Sequence, residues 1–214
     1  MPAQRARLIV ADDHMVIVEG ISKLLLPRYE IVGTARDGRE LIEAAQRLKP
    51  DVILLDISMP RMNGIEAARR VRRLLPATKI VILSMHSEPA YVREALRAGA
   101  SGYVVKTAGS TEVIKAVEEV LQGRYYITPE LAAIPTDVIR QARSARHTLP
   151  GELTPRQREI LQLVAEGRGA REIAAVLEIS MKTVEFHKSA IMSRLNLRSI
   201  AALTRYALEH GISG

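Results

Sequence analysis

The chain has 214 residues, which is room for one large domain or two small ones. It has no cysteine, so disulfides, thiolate zinc sites and cysteine nucleophiles are excluded, and no apolar run approaches the roughly 20 residues of a membrane-spanning helix. The formal net charge of +7 is compatible with nucleic acid or anionic surfaces but is weak evidence by itself. Since the N-terminus lacks the apolar stretch of a secretory signal, we expect a cytoplasmic protein with no membrane partner.

The first 123 residues alternate short apolar runs with amphipathic helical segments. Five strands are predicted, each followed by a helix, at residues 8–11, 30–35, 52–55, 79–83 and 102–105. Apolar side chains follow one another in these strands, which predicts a parallel sheet covered on both faces. Right-handed crossovers then give an α/β, doubly wound fold with five parallel strands, in which ligands bind at the carboxyl ends of the strands.

The pattern weakens over residues 124–151, which we interpret as a linker with one or two short helices. A helix that opens at Thr128-Pro129-Glu130 would be interrupted at Pro135, and the later part of the segment is polar, basic and rich in turns. Only helical segments follow, and there are four of them. The sequence therefore predicts two domains, residues 1–123 and 152–214, of which the second is all-α.

Charged and hydroxyl side chains stand where the predicted strands end. In chain order they are Asp12, Asp13, Asp56, Ser84 and Lys106. All five therefore fall on one edge of the sheet. Crowded carboxylates repel one another unless a cation joins them, and oxygen ligands suit Mg²⁺. The set fits transfer of a phosphoryl group onto Asp56. The metal and Lys106 would then stabilise negative charge on the equatorial oxygens of the group being transferred.

Each acidic residue taken singly could instead be only a turn or cap residue, since Asp12-Asp13-His14 before a helix has the composition of an N-cap. The match between the spacing of the whole set and successive strand ends favours phosphoryl transfer. Asp56 is then the nucleophile, because an ionised carboxylate needs no general base.

At these residues the sequence resembles the receiver domain of two-component signalling, over residues 7–123. The matching motifs are Val10-Ala11-Asp12-Asp13-His14, Leu54-Leu55-Asp56-Ile57-Ser58-Met59-Pro60, Asn63-Gly64, Leu83-Ser84 and Gly102-Tyr103-Val104-Val105-Lys106. The resemblance implies a flavodoxin-like fold and a sensor histidine kinase as partner. One departure is Thr107, where many receivers have proline, so the loop after Lys106 is not predicted by the family.

The resemblance also implies roles by position. Asp56 would be the phosphoacceptor, and Mg²⁺ would be held by Asp13, Asp56 and the Ser58 carbonyl, with Asp12 helping. A phosphoryl group adds about two negative charges and three acceptor oxygens.

Two further residues would carry the switch. The hydroxyl of Ser84 would bond one phosphoryl oxygen, and the ring of Tyr103 would then turn inward and change the face formed by the last helices and strand. Without the resemblance to the family, Tyr103 could equally be an ordinary half-buried aromatic residue of a strand, with no role in a switch.

The helical domain begins with a capping box, in which Thr154 is the N-cap, Pro155 takes the first helical position and Gln157 completes the pair. A short second helix, a tight turn and a longer third helix capped by Ser180 follow. Two helices joined by a tight turn are the arrangement of a DNA-binding helix-turn-helix.

The exposed face of the third helix is the candidate DNA-binding surface. Basic side chains would neutralise phosphates and short polar ones would reach base edges, although a solvated face of an ordinary bundle would look similar. Phe186, the only phenylalanine, would pack on a neighbour or contact a thymine methyl, and His187 could equally be structural. The candidate residues are Lys182, Thr183, Glu185, Phe186, His187, Lys188, Ser189 and Arg194.

Residues 152–210 resemble the LuxR-type helix-turn-helix of response regulators of the NarL/FixJ class. The matching motifs are Leu153-Thr154-Pro155-Arg156-Gln157-Arg158-Glu159-Ile160-Leu161, Glu172-Ile173-Ala174, Ile179-Ser180 and Thr183-Val184-Glu185-Phe186-His187. Two departures are Gly169-Ala170, in place of a frequent Ser-Asn, and Glu185, where lysine is common. In the family the last helix dimerises, but its apolar residues here could equally pack on their own domain; they are Ile200, Leu203, Ala207 and Leu208.

Together the resemblances imply a DNA-binding transcriptional response regulator, a phosphoprotein rather than an enzyme, which would catalyse its own phosphotransfer and dephosphorylation. Phosphorylation would release the helical domain or pair two receivers, and a homodimer would bind double-stranded DNA. RNA polymerase is a candidate further partner. The alternatives are a constitutive DNA-binding protein whose first domain is a docking module, and a Mg²⁺-dependent phosphatase of similar topology.

Overall fold

The computed structural model describes residues 5–131 and 153–212. Within these ranges the first domain alternates six strands with five helices. They are β1 (Arg7–Ala11), α1 (Met15–Leu25), β2 (Glu30–Ala35), α2 (Gly38–Leu48), β3 (Val52–Asp56), α3 (Gly64–Leu74), β4 (Lys79–Ser84), α4 (Pro89–Arg97), β5 (Gly102–Val105), α5 (Ser110–Leu121) and β6 (Tyr126–Ile127). Short 3₁₀ turns follow β5 and β6.

The sheet is parallel, with the strand order β2-β1-β3-β4-β5-β6. Alternate strand residues face opposite layers, so Ile53 packs with α2, α3 and α4 whereas Leu54 packs with α1 and α5. All five residues of β3 are buried. The predicted α/β, doubly wound fold is therefore confirmed, and its continuous apolar strands are explained by burial on both faces.

The sheet has one strand more than the five that the sequence predicts, because β6 lies among residues assigned to the linker. After β6, Thr128 donates its backbone N–H to the Tyr103 carbonyl (3.0 Å), and its hydroxyl accepts from the Val105 N–H (3.0 Å). A two-residue strand is too short to show a period. Residues 124–131 thus pack on the first domain, and the rest of the predicted linker lies outside the described residues.

The second domain consists of four helices over its described residues, as predicted. They are α6 (Pro155–Ala165), α7 (Ala170–Leu177), α8 (Met181–Leu195) and α9 (Ile200–Glu209). The capping box of Thr154 and Gln157 is present, and the Ser180 hydroxyl caps α8 by accepting from the Thr183 N–H (3.1 Å). At α7, where Gly169 offers no side chain, the Glu172 carboxylate accepts the Gly169 N–H instead (2.8 Å).

The last helix divides its apolar residues between two environments. Leu203 and Ala207 are fully buried in the core of their own domain, against α6, whereas Ile200 and Leu208 are exposed. Two of the four apolar residues predicted to form a dimer therefore belong to the core of their own domain.

Among the described residues, the helices are all too short or too polar to cross a membrane.

Candidate functional site

The carboxyl ends of β1, β3 and β5 bring Asp12, Asp56 and Lys106 together. The Lys106 Nζ lies 2.7 Å from Asp12 Oδ2 and 3.0 Å from Asp56 Oδ1. Only 4% of the Asp56 side chain and 13% of the Lys106 side chain are exposed. The parallel sheet therefore assembles one buried charged cluster from residues that lie 94 positions apart in the chain.

The charges in this cluster shift one another's protonation. Burial raises the pKa of Asp56 above its ordinary value, and the negative charge of Asp12 adds to this, while Lys106 opposes it. Burial disfavours the charged form of Lys106, but its hydrogen bonds and charge interactions with Asp12 and Asp56 outweigh that cost and raise its pKa. The ammonium is thus held in its charged form beside two carboxylates.

Asp13 and His14 extend the cluster toward solvent. His14 Nδ1 lies 2.9 Å from Asp13 Oδ1, and its backbone N–H donates to Asp12 Oδ1 (2.9 Å). Asp12 therefore serves as a turn residue, which is one of the two roles predicted for it. Ligand atoms of Asp12, Asp13 and His14 all lie within 4.8 Å of one another, and the oxygen donors of this edge fit Mg²⁺. From the sequence, His14 was identified as part of a possible cap and of the receiver motif, but not as a candidate ligand.

Residues 57–63, which we call the Asp56 loop, connect Asp56 to α3 and contain the half-buried Ser58. Arg61 adopts a left-handed conformation (φ 63°) and pairs with the buried carboxylate of Asp37. Gly64 ends the loop, and a Cβ there would lie 1.9 Å from the Asp56 carbonyl oxygen. The glycine of the Asn63-Gly64 motif is therefore required by the close approach of α3 to the backbone of Asp56.

Ser84 and Tyr103 are both fully buried behind the cluster. The Ser84 Oγ accepts the His86 N–H (3.1 Å), and the Tyr103 hydroxyl donates to the His86 carbonyl (2.8 Å). Burial raises the pKa of Tyr103 above its ordinary value. Tyr103 was predicted to turn inward when Asp56 is phosphorylated; in this structure its ring already lies inside, where its hydroxyl donates to the His86 carbonyl.

The candidate DNA-binding face of α8 is open to solvent. Phe186 is 69% exposed and meets His187 edge-on, with the ring centroids 5.6 Å apart, so it does not pack into the core. Lys188 pairs with Glu185 (3.0 Å), the residue that departs from the family pattern. Glu185 is also exposed, as are Lys182, Ser189 and Arg194, whereas Thr183, His187 and Lys188 are half-buried.

Helix α6 buries polar as well as apolar side chains. Its apolar face packs on α7, α8 and α9, while its other face meets α3 and the Asp56 loop of the first domain. The buried polar residues are Gln157, Arg158, Glu159 and Gln162. Sequence reasoning missed this second face, because polar side chains at helical spacing are typical of a solvent-exposed surface.

Two protein families match the chain. The response regulator receiver domain family matches residues 8–118, and the luxR family of bacterial regulatory proteins matches residues 151–207. The matches fall on the two domains in the order in which the structure places them.

Similar proteins match over nearly the whole chain. The transcriptional regulatory protein MctR of Rhizobium johnstonii is 34% identical, over 97% of this chain and 95% of its own. The oxygen regulatory protein NreC of Staphylococcus carnosus is 39% identical, over 95% of this chain and 97% of its own. A solved structure of the response regulator RcsB of Salmonella typhimurium covers 97% of this chain and 98% of its own, with 29% identity and a TM-score of 0.64.

RcsB has also been solved in a complex with DNA; that structure covers 96% of this chain and 99% of its own, with 27% identity and a TM-score of 0.58. The chain belongs to the two-component transcriptional response regulators of the NarL/FixJ class, in which a receiver domain precedes a LuxR-type DNA-binding domain.

Proposed function

We propose that transfer of a phosphoryl group to Asp56 controls the binding of α8 to DNA. The observation that carries this proposal is the pairing of Asp56 with Lys106 at 3.0 Å, beside Asp12, at the edge of a parallel sheet. A buried carboxylate next to a fixed ammonium is a nucleophile whose product, an acyl phosphate, has a counter-charge already in place.

The transfer step needs no general base. One Asp56 oxygen forms a bond to phosphorus while the bond from phosphorus to the donor breaks, and the leaving group departs with the electron pair. Lys106 would then pair with a phosphoryl oxygen. Asp12, Asp13, Asp56 and the Ser58 carbonyl are the groups that would hold Mg²⁺, which when bound supplies positive charge for the transferring group. A sensor histidine kinase would be the physiological donor, and the same residues would govern later hydrolysis of the acyl phosphate.

Ser84 and Tyr103 are the residues that would respond to a phosphoryl group on Asp56. Ser84 ends the strand next to β3, and its hydroxyl bonds the same residue, His86, as the Tyr103 hydroxyl. A Ser84 hydroxyl that turned toward a phosphoryl oxygen would release the His86 N–H and so alter the turn that holds Tyr103.

The output would be DNA binding by a dimer. The exposed basic residues of α8 would contact phosphates, and Phe186 is free of core packing and so available to a thymine methyl. Exposed Ile200 and Leu208 of α9 are the residues that would meet a second copy. RNA polymerase would be a further partner if the protein activates transcription.

The test is acyl-phosphate formation followed by DNA binding. Full-length protein is incubated with acetyl phosphate and Mg²⁺, and phosphorylation is measured by intact mass and by mobility on a phosphate-affinity gel. Asp56→Asn is expected to abolish the adduct. Asp51→Asn, an exposed position at the other end of β3, is the matched control and is expected to leave the adduct unchanged.

The second step selects binding sites from genomic DNA and compares affinity with and without the phosphodonor. The wild type is expected to bind more tightly after phosphorylation, and Asp56→Asn to show no gain. Equal binding by both forms of the wild type would instead favour a constitutive DNA-binding protein whose receiver is a docking module.

A further inference from the structure

The Asp56 loop is held by a residue of the DNA-binding domain. Gln162, on α6, is only 3% exposed. Its Oε1 accepts the Asn63 N–H (3.0 Å), and its Nε2 donates to the Met59 carbonyl (3.2 Å) and to Glu166 (2.8 Å). One side chain thus uses both its acceptor and its donors, and two of the three bonds go to the loop that follows Asp56.

Asn63 ties the same loop to the end of the chain. Its Oδ1 caps α3 by accepting the Glu66 N–H (2.9 Å), and its Nδ2 donates to the Ile212 carbonyl (2.6 Å). Two elements of the DNA-binding domain, α6 and the residues after α9, therefore converge on Asn63. We call the contacts of Gln162 and Ile212 with the Asp56 loop the clamp.

Buried charges reinforce the clamp. Arg158 donates to Glu66 (2.7 Å), and both side chains are less than a tenth exposed. Glu159, also buried, pairs with Arg70 of α3. A buried charge is costly unless it is paired. Glu66 and Glu159 also pair with arginines of their own domain, and the two pairs between the domains add to these.

The receiver braces the Asp56 loop from its other side. Arg61 pairs with Asp37, and the Met62 carbonyl accepts the Gly38 N–H (3.2 Å). Between these restraints the Asp56 side chain is 4% exposed. The backbone N–H of Ile57, the first residue of the Asp56 loop, donates to the Asp56 carboxylate, and Lys106 and Asp12 lie against it from other strands. A phosphodonor must approach the carboxylate in line, which requires the groups around it, Ile57 among them, to shift. Restraints on the Asp56 loop oppose that movement.

The docked arrangement leaves α8 open. The domains meet through α6 and Ile212, whereas the exposed residues of α8, Phe186 among them, make none of the clamp contacts. Docking therefore does not act by covering the candidate DNA-binding face. Instead, it adds hydrogen bonds to the Asp56 loop.

We propose that Gln162 is a positioning residue for the phosphoacceptor site, holding the Asp56 loop closed from the other domain so that docking competes with ligand binding at Asp56. This inference rests on the proposed function, since it takes Asp56 as the phosphoacceptor. Because coupling between two equilibria is reciprocal, whatever weakens the clamp must tighten binding at Asp56, and binding at Asp56 must loosen the clamp by the same factor.

The test measures Mg²⁺ affinity in full-length Gln162→Met, which keeps the volume of the side chain but removes both hydrogen bonds to the loop. The probe is Mg²⁺ alone, titrated while the backbone amide resonances of Ile57 and neighbouring residues are followed by NMR. The dissociation constant for Mg²⁺ is expected to fall about fivefold or more. The Asn63 amide resonance is expected to move upfield, because its hydrogen bond is lost.

Gln46→Met is the matched control, since Gln46 is exposed on α2, and its Mg²⁺ affinity should equal that of the wild type. The rate of phosphorylation by acetyl phosphate should rise in Gln162→Met, through a faster reaction at saturating Mg²⁺. An unchanged or weaker Mg²⁺ affinity, with the Asn63 resonance shifted, would overturn the proposal.

A second variant keeps the proposal testable if Gln162→Met does not fold. Arg158→Gln lies in the DNA-binding domain and weakens the ion pair with Glu66, so its effect on the metal site has to pass through the domain contact. It is expected to tighten Mg²⁺ binding less than Gln162→Met does. If the wild type binds no Mg²⁺, both this inference and the proposed function fail; if it binds and neither variant differs from it, this inference alone fails.

Discussion

Two sets of polar side chains in this molecule lie in opposite environments. At the clamp and the Asp56 edge, charged and amide groups are buried and each is matched to a partner from another element, as Glu66 is to Arg158. On α8 the charged groups are exposed except for the half-buried Lys188, and the pair of Lys188 with Glu185 lies within one helix. Both sets have similar composition, but only the first is fixed by the fold.

The difference indicates what each set can do. Buried, paired groups resist change in position, so they hold geometry and transmit movement between the domains. Exposed groups contribute little to stability and stay available to a partner. Substitutions in the first set should therefore change the free energy of unfolding, and substitutions on α8 should change binding.

The largest effect is expected for Gly64→Ala, because its Cβ would stand 1.9 Å from the Asp56 carbonyl oxygen and backbone must shift. We expect a loss of about 3 kcal/mol, at the upper end for overpacking, measured by urea denaturation of the full chain. Gly20→Ala is the control: nothing lies within 4 Å of that Cβ, so the helix should gain about 0.5–1 kcal/mol. Equal effects at the two glycines would show that α3 does not press on Asp56.

The next prediction compares a buried ion pair with one whose carboxylate is exposed. Glu66→Ala removes a buried carboxylate that Arg158, Arg69 and Arg70 share, and should cost about 2 kcal/mol. Glu185→Ala removes the exposed partner of Lys188 and should cost less than about 0.5 kcal/mol. Chemical denaturation measures the free energy of unfolding of both variants. A larger loss in Glu185→Ala than in Glu66→Ala would contradict the prediction.

Asp56→Asn should stabilise the protein by about 1 kcal/mol at neutral pH, which is a few degrees in melting temperature. Burial and Asp12 raise the pKa of Asp56, so its ionised form is disfavoured in the fold. The gain is present above the folded-state pKa of Asp56 and is lost as the pH falls through it, because the wild type then becomes neutral there too. Thermal melts from neutral to acidic pH check this; a gain that persists in acid would contradict it.

The smallest effect on stability is expected for Lys182→Ala, within about 0.5 kcal/mol, since the side chain is exposed on α8. DNA affinity should nonetheless fall, and the slope of log affinity against log salt should become shallower by about 1. Lys23→Ala, on the exposed surface of α1, should leave both unchanged. Fluorescence anisotropy at several salt concentrations measures the slope; identical slopes for the two variants would remove Lys182 from the interface.

The sequence was sufficient to predict the helices and strands whose side chains follow a regular pattern. Apolar strands gave the parallel sheet, and the carboxyl ends of parallel strands meet at one edge, so the meeting of Asp12, Asp56 and Lys106 followed from strand order alone. The caps at Thr154 and Ser180 were equally visible, because a capping side chain is local to its helix.

What the sequence could not show depends on contacts between distant segments. Gln162 sits among polar neighbours and gives no sign that another domain covers it. The two residues of β6 are too few to show a period. The inward position of Tyr103 depends on His86, whose carbonyl is oriented by the turn after β4 and not by any side-chain pattern.

The sixth strand has a consequence for how two receivers could associate. Because β6 occupies the side of β5 that would otherwise be unpaired, a strand from a second molecule cannot add there. β6 is itself short and is followed closely by Pro129, which cannot donate a ladder hydrogen bond, so it is a poor template for edge-to-edge aggregation. On this flank the sheet therefore ends in a strand of two residues, which offers another copy very little backbone to pair with.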